Sequence, residues 1–372
     1  EELLERELGE RRRRFATFDV EPLAAASIAQ VHRATLDDGT VVAVKVQRPG
    51  IRALLDCDID IMPRLAGWAT RRIKQARQFG ALDIAKQYAQ DLRNQADFAR
   101  EASNLESLAQ SARSARDEVR IPRFFPDLST DRVLTMEFID GETITALRRE
   151  GQTDEIEDAL RTVLRSFLRQ LVIDGVFHAD LHPGNVIIDP DGTSTLIDFG
   201  SVGRLDRDLR QTVQDLAIAF LQGDTRRVAD AALAIMPLAN PADEPGFRRA
   251  LAEFVTHDLG SGSRITLRTI VNASDLFTRY GSALPADLVA AGRAFAILEG
   301  TLRTAAPTMD VIGESRDAAQ ALILSPTREL AEQVKQATQR GLEALFYAEV
   351  APLRKIRGLS YHTFPSADDP WD

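Results

Sequence analysis

Apolar residues recur along this chain with two periods, and the change from one to the other divides it. Leu3, Leu4 and Leu8 fall on one face of a short opening helix that Gly9 ends. Strand-like runs follow at Phe15–Asp19, Ile28–Leu36 and Val41–Val46; Asp37-Asp38-Gly39-Thr40 joins the last two, its glycine suited to the positive φ of a hairpin turn. Residues 51–112 return to the helical period, as a helical insertion and a long amphipathic helix with Leu82, Tyr88, Leu92, Ala99, Leu105 and Leu108 as apolar landmarks. Val133–Ile139 is an apolar run of strand length. Beyond Gly141 helices dominate: Ile156–Asp174 carries Ala159, Leu160, Val163, Leu164, Phe167, Leu168 and Leu171 at helical spacing and stops at Gly175. Asp208–Gly223, Ala250–Leu259 and Leu284–Arg303 are further helices. Val186–Ile188 and Ser194–Ile197, on either side of Asp189-Pro190-Asp191-Gly192, interrupt them as a β-hairpin.

Composition bounds this picture. A chain of 372 residues, 44% hydrophobic, can bury a full core and suits one two-lobed unit or two domains better than a single small one. A net charge of -10 argues against a general nucleic-acid binder, which needs clustered basic surface. Arg11 to Arg14 is the one basic run, read as a solvated patch or as a grip on phosphate or anionic lipid. Cys57 stands alone, which fits a reducing cytoplasm and leaves no cysteine zinc site. No run reaches 18 apolar residues, and a start at Glu1 rather than Met leaves a leading segment open. The expected location is the cytoplasm or the periphery of a membrane.

The chemistry concentrates in Phe177-His178-Ala179-Asp180-Leu181-His182-Pro183-Gly184-Asn185 and in Asp198-Phe199-Gly200. An Asp, an Asn five residues on and a second Asp in Asp-Phe-Gly form the active-site pattern of the protein-kinase fold. Phosphoryl transfer needs a carboxylate to orient the acceptor hydroxyl, and an amide oxygen with a second carboxylate to hold Mg²⁺. Asp180, Asn185 and Asp198 suit those roles in that order. Lys45, in Val42-Ala43-Val44-Lys45 on the third strand, is placed to reach the α- and β-phosphates of ATP. Met136 falls at the back of an adenine pocket, with backbone groups of Glu137 and Ile139 facing the base. His178 and His182, four apart, invite a metal reading on a helix; Pro183-Gly184 favours a loop instead, with His178 structural.

The first hairpin carries Pro22-Leu23-Ala24-Ala25-Ala26-Ser27-Ile28-Ala29-Gln30-Val31-His32 in place of a glycine-rich loop. With Val44 to Gly50, Met136 to Gly141, His178 to Asn185 and Ile197 to Gly203, this resembles the UbiB/AarF family of atypical kinase-like proteins, over about Leu3 to Leu302. The resemblance implies that Ala24, Ala25, Ala26 and Ser27 lie on the nucleotide and that Glu101, in Asp97-Phe98-Ala99-Arg100-Glu101-Ala102, pairs with Lys45. Two departures stand out: Gln95 replaces a customary Glu, and the family's preceding Lys-x-Gly-Gln extension is not in this sequence. No Ala-Pro-Glu follows Asp-Phe-Gly, so the peptide platform of protein kinases is not expected. Ala321-Leu322-Ile323-Leu324-Ser325-Pro326-Thr327-Arg328-Glu329-Leu330-Ala331 matches an RNA-contacting motif of DEAD-box helicases, but no Walker loop or Asp-Glu-Ala-Asp accompanies it; Ser325-Pro326 reads as a helix start, followed by Val334, Leu342, Leu345 and Phe346.

The expected fold is α+β, a two-lobed protein-kinase-like fold with a small antiparallel β lobe, a helical insertion and a large, mainly helical lobe. Its divisions are 1–139, 140–324 and a helical tail, 325–372. The expected function is an atypical kinase or ATPase using ATP and Mg²⁺. By resemblance it supports isoprenoid-quinone biosynthesis or lipid homeostasis, with a lipid or quinone-pathway protein as partner, peripheral membrane contact and no nucleic acid. A small-molecule phosphotransferase of the aminoglycoside or choline kinase type, and a nucleotide-gated scaffold, are the alternatives.

Overall fold

The computed structural model describes residues 2–25, 28–73, 82, 85–86, 89, 92–93, 96–115, 118–150, 154–259, 267–282, 284–307 and 309–324. The chain forms two compact units, Glu1–Gln320 and Ala321–Asp372; of the second, only 321–324 are among the described residues. The tail helix expected after Ser325, and Tyr88, Gln95, Ala26 and Ser27, lie outside them.

The first unit opens with helix α1 (Glu2–Leu8) and an antiparallel sheet in the order β1 (Phe15–Phe18), β3 (Ala29–Leu36), β4 (Val41–Gln47), β5 (Val133–Glu137), with the two-residue β2 (Ala24–Ala25) paired to β3. Alternation sets its two faces. Phe15, Ala34, Leu36, Val42, Val44 and Val133 point to one side and pack under Leu4 and Leu8 of α1, with Phe125 and Leu128 closing the core. The opposite face carries Ala29 and Leu134 against Phe98 and Ala102 of a crossing helix.

The insertion between β4 and β5 contains α2 (Ile51–Arg72) and α3 (Phe98–Ala115). Leu55 and Ile59 of α2 pack with Ala89. Two expectations need correction. Ala99 is exposed, and Phe98, fully buried, takes the anchoring place. Asp97 does not share a helix face with Glu101; its carboxylate precedes α3 and accepts from the N–H groups of Ala99 and Arg100, capping the helix.

After β5 the chain crosses to the helical part through Gly141, where any side chain would meet the Ile188 carbonyl oxygen at 2.5 Å. β6 (Glu142–Thr143) joins β8 (Val186–Ile188), which pairs in turn with β9 (Ser194–Leu196). Helices α4 (Ile144–Glu150) and α5 (Asp154–Arg169) follow, and α5 ends in a wider turn over Gln170–Asp174 before Gly175 at φ 71, the left-handed stop glycine allows. β7 (Val176–His178), which leads into the loop at Ala179–Asn185, pairs with β10 (Val202–Arg204). Helices α6 (Arg207–Leu221), α7 (Thr225–Ile235), α8 (Glu244–Asp258), α9 (Leu267–Arg279), α10 (Ala286–Ala305) and α11 (Val311–Leu324) complete the described chain. Only two residues, Leu205 and Asp206, separate β10 from α6. Among the described residues, no helix is long and apolar enough to cross a membrane.

Candidate active site

Three ionisable side chains from distant parts of the chain, Lys45, Glu101 and Asp198, meet between the sheet and the helices. Strand β4 carries Lys45 on the face turned toward α3, and its Nζ donates to both Glu101 oxygens, at 2.7 and 2.9 Å. Asp198 Oδ1 lies 3.5 Å from the same Nζ. Lys45 and Glu101 are buried, whereas the Asp198 carboxylate is half exposed.

The electrostatics divide the carboxylates. Burial alone would lower the Lys45 pKa, but Glu101 and Asp198 outweigh it and hold it above the usual lysine value. Burial pushes Glu101 up, offset only in part by Lys45. Asp198 goes the other way: burial opposes its charge, yet the Lys45 ammonium and the Gly200 N–H bring its pKa below the ordinary aspartate value. Glu101 is therefore spent on the lysine. Asp198 keeps a negative charge facing the open side.

Asp198 also has φ 62, and it is the one non-glycine residue with positive φ among the described residues. That conformation costs roughly 1–3 kcal/mol and persists only where surrounding bonds impose it. Its Oδ1 accepts from the Gly200 N–H at 3.2 Å. On either side, Ile197 N–H donates to the Asn185 carbonyl and Phe199 is completely buried.

The loop from Asp180 to Asn185 is held by its own hydrogen bonds. Asn185 Nδ2 donates to the Asp180 carbonyl at 3.0 Å, leaving its Oδ1 as an acceptor, and its N–H donates to the His182 carbonyl. His182 Nδ1 accepts from the Gly184 N–H at 3.0 Å, and Nε2 stands 3.8 Å from Asp180 Oδ2. His178, fully buried, ties this loop to the next: Nδ1 accepts from Asp180 N–H and Nε2 reaches the Ile197 carbonyl, fixing the tautomer with its proton on Nε2. Burial lowers its pKa, so the ring is neutral. Its edge packs on Phe199, and its own N–H is received by Gln170 Oε1 from the wide turn that ends α5.

On the sheet side, Met136 is buried opposite Ala43 in the β4–β5 register, so the smallest side chain of β4 leaves room beside it. The Glu137 N–H is taken by the Arg123 carbonyl and its carboxylate by Arg120, while the Ile139 N–H has no acceptor among the described residues. Ala24 and Ala25 are exposed and extended, paired with Val31 and Gln30. The structure thus brings Lys45, Glu101 and Asp198 into contact, sets Asp180 and Asn185 on one loop, and places Ala24 and Ala25 on the strand that precedes Ala26. Ala43, Asn104 and Arg120 went unnoticed in the sequence. Only the small size of Ala43, two residues before Lys45, was a signal there.

The donor set suits Mg²⁺, a hard cation that takes carboxylate and amide oxygens and usually only one or two protein carboxylates. Asp198 with a free oxygen and Asn185 with an unshared Oδ1 offer that chemistry.

A family model described as "ABC1 atypical kinase-like domain" matches residues 1–232. A Mycobacterium tuberculosis protein described as "Uncharacterized protein Rv0647c" is 33% identical over 319 residues, 83% of this chain and 64% of that protein. "Probable protein kinase UbiB" of Vibrio atlanticus is 32% identical over 222 residues, 58% of this chain and 41% of that one. The chain spans less than two thirds of the length of either relative. A solved structure, "The complex structure of Rv3197-erythromycin from Mycobacterium tuberculosis", matches with a TM-score of 0.58 at 24% identity over 87% of this chain and 81% of that one, a likeness of fold.

Proposed function

The chain belongs to the ABC1 atypical kinase-like family, the UbiB/AarF group, and from that premise we propose that it binds ATP with Mg²⁺ and transfers or hydrolyses the γ-phosphate. The observation that carries this reading is the Lys45 ammonium, bonded twice to Glu101 and 3.5 Å from Asp198. A buried cation so fixed has its side-chain entropy already spent and can meet phosphate oxygens without rearrangement. Met136 and Ala43 bound the space for the base, and the Ile139 N–H offers it a donor. Asn185 and Asp198 would hold the metal, which supplies positive charge for the phosphates. Asp180 accepts the hydrogen bond of the attacking hydroxyl and takes its proton as the bond from γ-phosphorus to the bridging oxygen breaks.

The family resemblance supports a role in isoprenoid-quinone biosynthesis or lipid homeostasis, with the acceptor among lipids or quinone-pathway proteins and the chain peripheral to a membrane. Mass spectrometry of lipids that copurify with the protein tests that part; a preparation free of bound lipid contradicts it.

Two variants test the chemistry. Asp198→Asn is expected to abolish Mg²⁺-dependent ATP binding in calorimetry, because the carboxylate that faces the metal is gone. Asp180→Asn is expected to bind as the parent does and to lower turnover by roughly 10²- to 10⁴-fold, the usual weight of a positioned base. If both variants bind and hydrolyse MgATP like the parent, the roles assigned to these residues are wrong.

A further inference from the structure

Asp198, with its left-handed backbone, is followed by Phe199, whose backbone is held by α3. One face of α3 takes both polar groups of the Phe199 backbone: Asn104 Nδ2 donates to its carbonyl at 2.9 Å, and its N–H interacts with the Glu101 carboxylate. Asn104 is 2% exposed, and its Oδ1 accepts from Arg204 Nη1 at 2.9 Å; Arg204 Nη2 reaches Ser107 Oγ one turn further along the helix. A carbonyl on one side and a guanidinium on the other fix the amide's orientation, since turning it over would break both bonds. Glu101 and Asn104 are three apart on α3, so they present one continuous edge to the segment. The chemistry above makes no use of Asn104, whose side-chain hydrogen bonds go to Phe199 and Arg204.

We propose that Asn104 is a positioning residue: it ties the seating of α3 to the backbone of Asp198, so that the metal-binding carboxylate is presented only while the helix carrying Glu101 is docked. The physical reason is the strain at Asp198. A residue held at φ 62 relaxes when its anchor is released, and the Phe199 carbonyl is the anchor on its C-terminal side. Release would leave that carbonyl buried and unpaired, so the two losses reinforce each other. The inference rests on the Mg²⁺-nucleotide reading and deepens it.

The test is the gain in ADP affinity that Mg²⁺ confers, measured by calorimetry in Mg²⁺ and again in EDTA. Asn104→Asp keeps the side chain's shape and its acceptor for Arg204, but sets a carboxylate oxygen against the Phe199 carbonyl. It is expected to lower the Mg²⁺-dependent gain about tenfold or more, the order expected when a buried donor is lost, and to leave affinity in EDTA unchanged. Arg204→Gln, which spares the Asn104 bond to Phe199, is expected to retain most of the gain. A role limited to stability would lower the melting temperature of Asn104→Asp without changing the gain, and that result overturns the proposal. Should Asn104→Asp not fold, Asn104→Ser carries the test: its hydroxyl is too short to reach the carbonyl, so the gain should fall, and an undiminished gain overturns the proposal. A parent protein with no Mg²⁺-dependent gain would instead overturn the nucleotide reading and this inference with it.

Discussion

Lys45 and Glu101 form the most exposed point of the account to single-residue change, because each is buried and each compensates the other. Removing one partner of a buried pair leaves an uncompensated charge and typically costs about 3–5 kcal/mol, whereas removing both can cost far less. Glu101→Met is therefore expected to lower the stability to urea sharply, and Lys45→Met with Glu101→Met to recover a large part of it; additive losses would show that the two side chains do not form a pair in solution. His178 supplies a pH test. Its folded pKa lies below the ordinary 6.5, chiefly through burial, so the unfolded chain binds the extra proton first as the pH falls. The stability it contributes is whole above pH 6.5 and is lost progressively below it. The urea midpoint should drop as the pH is lowered through that value, less steeply in His178→Gln, and equal slopes would contradict it. At this scale the sequence is a good guide where a residue type has one use. Asp198 and Lys45 are legible because their neighbours name them. Asn104 is not, since an Asn inside a helix signals nothing until Phe199, 95 residues on, is folded against it.

Elements were legible where an apolar period ran unbroken. β3, β4 and α5 start and stop near the positions that alternation, Gly39 and Gly175 imply. Ala99 counts as apolar in any pattern, whereas the residue of α3 that packs with Leu134 and Ala29 is Phe98. The alanine-rich stretch shows a similar limit. Ala24 and Ala25 are extended and paired with β3. Glycine at Ala25 frees that backbone to take left-handed angles at little cost. Ala25→Gly is expected to raise affinity for ATP relative to ADP in paired calorimetric titrations; an unchanged preference with a lower melting temperature would mean the alanine only stabilises the strand.

The order of elements gave the two-lobed architecture, because a sheet followed by helices with a hairpin among them leaves few arrangements. What joins the two parts was hidden. Arg120 adds a bridge beside Thr195, exchanges backbone hydrogen bonds with Ser194 and Leu196, and extends its guanidinium to Glu137 at the end of β5 and to Asp189 in the β8–β9 turn. These partners lie 17 and 69 residues away, so no local pattern announces them. Burial raises the Asp189 pKa against the pull of Arg120, which marks the turn as partly enclosed. The same separation governs the proposed site as a whole, whose five polar residues come from β4, α3, the catalytic loop and the Asp-Phe-Gly segment. The most direct measurement is calorimetric titration of the parent protein with ATP in Mg²⁺ and in EDTA. One nucleotide per chain is expected, bound markedly more tightly with Mg²⁺. No binding in either condition, or the same affinity in both, would contradict it.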